Sequence, residues 1–183
     1  MADDVEVKIS TKRIAFSITI IIIAIAFYFF YPYIVYQLSP ITSYDYYGTH
    51  LDFRSDLKEA QKVAVYPDES MIVSTVFAPF MTNLTISFQN TSQNNLVGVE
   101  AYEVAYKMKT AYIALNRNIN ITSHLGAVQG SESNPVVILV PPMLANETSV
   151  RVSGFTITIS GKTQREFDLA TDKFLMVAMG IKV

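Results

Sequence analysis

Residues 14–36, IAFSITIIIIAIAFYFFYPYIVY, carry no charged side chain and few polar ones. At about 1.5 Å of rise per helical residue the run reaches about 34 Å, against about 30 Å for the hydrocarbon core of a bilayer. Such a segment cannot sit in water, and the chain beyond it is too mixed in character to wrap it as a core. The pattern predicts a leader at residues 1–13 and a transmembrane helix at 14–37. A juxtamembrane stalk at 38–54 that could pack through its tyrosines follows, then one globular domain at 55–183.

The flanks give the run a direction. Lys8, Lys12 and Arg13 stand just before it, whereas the first basic residue after it is Arg54. Lys and Arg remain on the cytoplasmic side, and Asp3, Asp4 and Glu6 count for little, so the expected product is a single-pass membrane protein with its N-terminus cytoplasmic and its C-terminal domain outside. Tyr28, Tyr31, Tyr33 and Tyr36 crowd the second half, where amphipathic rings settle at the headgroup level. Pro32 kinks the last turns or marks the interface. Ala24-Ile25-Ala26 offers a signal-peptidase pattern, but the apolar run continues about ten residues past it, which favours an uncleaved signal-anchor. Ala15, Ser17 and Thr19 would let a second helix approach, although no GxxxG is present.

Composition narrows the chemistry. The net charge is −2 and no basic face is available for nucleic acid. Cysteine is absent, which removes disulfides, Cys-ligated zinc, iron–sulfur clusters and thiol nucleophiles. The two histidines, His50 and His124, are far apart in sequence and lie in no HxH or HExxH pattern, so no metal or other cofactor is expected. Ser131 lies in GSES, which is neither a GxSxG elbow nor a phosphate loop. A Ser131–His124–acid triad can be written on paper, but no spacing supports it. The acidic pairs Asp68/Glu69 and Glu166/Asp168 are explained by helix starts and solvated faces. Four Asn-x-Ser/Thr sequons, at Asn83, Asn90, Asn120 and Asn146, all fall beyond the apolar run, and glycosylation on the outer side is the expectation.

The outer domain reads as α/β or α+β with a mixed sheet and a C-terminal helix; a β-sandwich-like ectodomain is the alternative. Residues 55–62 look like a short helix capped by Ser55, leading to a strand at Val63-Ala64-Val65-Tyr66. Pro67-Asp68-Glu69 opens a helix to about Phe77, over β-branched residues that would also suit a strand. Alternation at 83–88 places Leu84, Ile86 and Phe88 on a buried side. A polar loop at 89–95 precedes a helix at 99–116 whose stripe is Ala101, Val104, Ala105, Met108, Ala111, Tyr112 and Leu115, with Tyr102 and Tyr106 as core or interface filler. Residues 119–123 form a strand. Val136 to Val140 is apolar throughout, as in a sheet covered on both faces. A hairpin turns at Ser153-Gly154. Thr163-Gln164-Arg165-Glu166 fits a capping box for a last helix that buries Phe167, Ala170, Phe174, Val177, Ala178 and Ile181 and stops at Gly180. By fold analogy, a ligand would gather at the strand ends, residues 141–146 and 89–95.

With no catalytic constellation, the expected function is that of a non-catalytic, membrane-anchored accessory or scaffold subunit. Its partners would be the lipid bilayer and other membrane or cell-envelope subunits. An envelope enzyme or small-ligand binder whose site lies on loops is the alternative.

Overall fold

The computed structural model describes residues 19–28, 31 and 41–183, which belong to two compact units, 1–39 and 40–183. In the first unit, residues 19–28 and Tyr31 are helical and all exposed. No helix among the described residues is long and apolar enough to cross a membrane. The leader with its basic residues, the rest of the 14–37 run including Pro32, and residues 38–40 lie outside the described residues.

The second unit begins with a hairpin, β1 (Thr42–Tyr46) and β2 (Thr49–Phe53), in register Tyr46↔Thr49. Tyr47 and Gly48 both take positive φ, 49° and 81°, so the two-residue turn has the handedness that suits twisted strands. Tyr46 is buried, and Leu51 and Phe53 are fully so, which corrects the expected stalk: these residues are core. The alternation Tyr44/Tyr46 then Leu51/Phe53 was the available signal, hidden because Tyr-Gly is a less familiar hairpin turn than Asn-Gly.

Next come α1 (Leu57–Ala60), β3 (Ala64–Tyr66), α2 (Glu69–Val76), β4 (Asn83–Phe88), α3 (Asn94–Ala114), β5 (Asn120–Leu125), β6 (Val136–Val140), β7 (Ser149–Ser153), β8 (Thr156–Ser160) and α4 (Gln164–Met179). The cap of α1 is Asp56, whose Oδ1 accepts from the Lys58 amide at 2.9 Å, not Ser55. Asp68 caps α2 by accepting from the Ser70 amide, as its place before Glu69 predicts. Helix α3 starts five residues earlier than its periodicity indicates and takes in Asn94 and Asn95.

The six-stranded sheet runs β3-β7-β8-β6-β4-β5. Strands β5, β4, β6 and β8 are mutually parallel; β7 pairs antiparallel with β8, and β3 follows β7. The fold is thus α+β with a mixed sheet and a C-terminal helix. Leu84, Ile86, Val137, Leu139, Val150, Val152, Ile157 and Ile159 project from one face into a single core with the apolar sides of all four helices. Full burial of these side chains stabilises the fold by about 1.5–3 kcal/mol each.

The helices cover one face only, which corrects the expectation drawn from Val136 to Val140. On the other face Val136 is fully buried because residues 126–134 cross over it as an extended loop. Ser87 Oγ donates to Gly126 O, Thr85 Oγ1 donates to Asn134 Oδ1 at 3.0 Å, and the Gly130 amide donates to Thr156 Oγ1 at 3.3 Å. Gly130 is needed there, since a Cβ would stand 2.0 Å from the Phe155 carbonyl oxygen. Thr85 and Ser87 are therefore buried too, and β4 lacks the one-sided pattern of its sequence.

Helix α4 is bounded as its sequence predicts. The Glu166 amide donates to Thr163 Oγ1 at 3.2 Å, the threonine half of the capping box. Gly180 adopts φ 69°, and the Ile181 amide closes on Met176 O at 2.9 Å, so the final carbonyls are satisfied by a left-handed glycine cap. Replacing Thr163 with Ala is expected to cost about 1 kcal/mol. A urea midpoint unmoved by the substitution would show that the cap contributes nothing.

Candidate functional site

Two helices carry charged residues on the sides they turn to each other. Along α3, Glu100, Glu103 and Lys107 recur at spacings of three and four; along α4, Asp168, Thr171 and Asp172 do the same. Residues at such spacings share a face, and here that face is buried. Glu100 is 2% exposed, Lys107 1%, Asp168 4% and Asp172 4%. The segment leaving β2 closes the third side with Phe53, Arg54 and Ser55.

Contacts tie the three segments together. Asp172 Oδ2 accepts from the Ser55 amide at 3.1 Å and from the Ser55 hydroxyl. Lys107 Nζ lies 2.5 Å from Glu103 Oε2 and 4.2 Å above the Phe53 ring centroid. Arg54 Nε reaches the other Glu103 oxygen at 3.5 Å. The buried Glu100 carboxyl faces Asp168 and Thr171 of α4.

Four carboxyl groups thus surround two cations, and burial makes full ionisation costly. Burial, then the charge of Asp168 and the hydrogen bond to it, raise the Glu100 carboxyl well above its ordinary range; the Thr171 hydroxyl opposes this. Burial likewise pushes Asp172 up to about 7, and the nearby Glu100 charge adds to it, while Lys107 and the Ser55 hydrogen bonds pull the other way. Asp172 thus keeps its proton to a higher pH than an ordinary carboxyl. Arg54 and Glu103, with side chains 44% and 17% exposed, bring the cluster toward solvent, while Glu100, Lys107, Asp168 and Asp172 are shut between the elements.

Asp168 is therefore no solvated face, contrary to the sequence reading. The signal was present: Glu100 and Lys107 fall within the same stripe as Val104, Met108 and Ala111, and Asp168 and Asp172 lie between Phe167, Thr171 and Leu175. Tyr102 and Tyr106, expected as filler, are exposed at 66% and 45% and stack with ring centroids 6.0 Å apart. Leu115 is exposed as well.

The other candidates do not converge. His50 is exposed on the hairpin opposite Asp45, and His124 is exposed on β5 at the edge of the large sheet. Ser131 is an exposed loop residue beside Ser133. No group of three or more His, Asp or Glu among the described residues could hold a metal ion. The two loops at the strand ends meet, with Gln93 Oε1 accepting from the Met143 amide at 3.1 Å, and they expose Met143 and Leu144. Of the sequon asparagines, Asn90, Asn120 and Asn146 are exposed; Asn83 is half-buried and neighbours Asn120 across the β4–β5 pair.

Comparison with known proteins finds no matching family model, no similar curated protein and no similar solved structure.

Proposed function

We propose that this chain is a signal-anchored, single-pass membrane glycoprotein whose folded unit stands outside the cell membrane as a non-catalytic accessory or scaffold subunit of a membrane or envelope complex. The observation that carries the reading is the uncharged run at 14–36, preceded by three basic residues and followed by none until Arg54. Two features of the folded unit support it. Its perturbed carboxyls are shut between helices rather than set around an opening, and its exposed apolar residues stand on surfaces where a protein partner could cover them. Three exposed sequon asparagines suit attachment of glycans on an outward-facing surface.

The test is extraction of membranes from the native source, first with alkaline carbonate and then with mild detergent. The chain is expected to resist carbonate, enter detergent, co-purify with other subunits in fixed stoichiometry and gain mobility on gels after glycan removal. Recovery in the aqueous fraction would overturn the anchor. A detergent-extracted monomer carrying a bound small molecule would favour the ligand-binding alternative.

A further inference from the structure

We infer that the β5 edge is a homodimer seam, on which a second copy of this chain adds its own β5 antiparallel to form one continuous sheet. Among the described residues strand β5 pairs with β4 alone, so one of its sides is unmatched there. The amides of Asn120 and Gly126 donate inward, to Thr82 O and Phe88 O. Backbone groups alternate along a strand, so Ile121, Ser123 and Leu125 direct their N–H and C=O groups outward. A row of unpaired backbone groups is a template for strand addition unless Lys, Pro or a bulge guards it. The sequence NITSHL has no such guard and no acidic or basic charge beyond its single histidine.

The register that pairs all three outward residues is centred on Ser123. In an antiparallel pair the residues with outward groups face each other, and using all three puts Ser123 opposite its own copy and Ile121 opposite the partner's Leu125. Each of the three resulting pairs exchanges two N–H···O bonds. The same register places Leu125, 57% exposed, against a half-buried isoleucine and sets Thr122 beside the partner's His124, so apolar meets apolar and no like charges oppose. Self-complementarity of this kind favours a second copy over an unrelated strand.

A second observation lies on the same side of the molecule. Lys109 Nζ donates to Ile119 O at 2.8 Å, which shows the side of α3 that looks toward the start of β5. Tyr102, Tyr106 and Ile113 flank Lys109 along the helix and are exposed at 66%, 45% and 63%. A two-fold axis through Ser123 and normal to the sheet keeps both copies of α3 on one face, so their aromatic stripes converge above the seam. Asn120 shares the opposite face with Thr122, whose hydroxyl meets Thr85, so a glycan there would rise away from the helices.

The experiment uses the full chain in detergent, and the absence of cysteine makes it clean. Ser123→Cys on mild oxidation should give about tenfold more disulfide-linked dimer than Ser153→Cys on the exposed β7 turn, because hydrogen-bonded antiparallel residues have Cα atoms about 5.5 Å apart, within disulfide reach. Light scattering should show a dimer that becomes a monomer with Ser123→Pro, which removes an outward amide and leaves the β4 pairing intact. Should Ser123→Pro lose its far-ultraviolet circular dichroism, Leu125→Lys is measured instead, with the same expected loss of dimer. A monomeric parent chain, equal cross-linking at the two positions, or a dimer that survives these substitutions would overturn the seam.

Discussion

The folded unit is expected to be more stable at about pH 5 than at about pH 8, the reverse of a protein whose carboxylates are stabilised by cations. Asp172 has an ordinary value of 3.8 and is raised to about 7. Across that interval the folded chain keeps a proton that the unfolded chain has released, so stability falls as pH rises and levels off once both states are ionised. About two units of that interval lie between pH 5 and pH 8, so at about 1.4 kcal/mol per pH unit the loss there is on the order of 3 kcal/mol. Glu100, raised well above 4.5 by burial and by Asp168, extends the decline. Asp68 and Glu147 act in the opposite sense: hydrogen bonds from Ser70 and from Arg151 hold them low, so their contribution disappears only as pH falls through those lower values. Asp68 is exposed and Glu147 about half exposed, so the buried pair decides the slope. Urea midpoints across this range provide the check, and Asp172→Asn should flatten the curve. A midpoint that climbs toward alkaline pH would contradict it.

This pH dependence could not have been derived from the sequence, although its parts were visible there. Period-three-and-four spacing identified α4 and most of the buried stripe of α3, because apolar residues announce which way a helix faces. It did not identify Glu100, Lys107, Asp168 or Asp172 as interior. A charged residue inside an apolar stripe reads as its edge until the partner helix is placed, and the pairing of α3 with α4 is a tertiary fact. The hairpin was missed for a related reason: residues 42–53 look polar taken together, and only strand alternation separates Tyr46, Leu51 and Phe53 from their solvated neighbours. Strand β6 misled in the other direction. Five consecutive apolar residues announced two covered faces, yet the second cover is the loop that ends at Asn134, whose polar sequence carries no sign that it lies flat on a sheet.

Replacing Lys107 with Met should cost about 3–5 kcal/mol near pH 8, the usual cost of removing one partner from a buried ion pair. Methionine fills similar space and a thioether packs well against the Phe53 ring, so packing is nearly conserved. What is lost is the ammonium 2.5 Å from Glu103 Oε2, which also favours the ionised form of Asp172. Without it Asp172 takes up a proton more readily, and at about pH 5 the neutral acid still accepts from Ser55 while its own hydroxyl seeks an oxygen nearby. The destabilisation should therefore shrink to about 1 kcal/mol in acid, the scale of a lost hydrogen bond. Combining Lys107→Met with Asp172→Asn should restore part of the stability at about pH 8, because the amide removes the carboxylate that the lysine had offset; residues in one network do not behave additively. Equal losses at both pH values would assign the effect to packing alone, as would a double variant no better than the single one. Either result would mean that the three segments meeting at this cluster are held by their apolar sides and not by its charges.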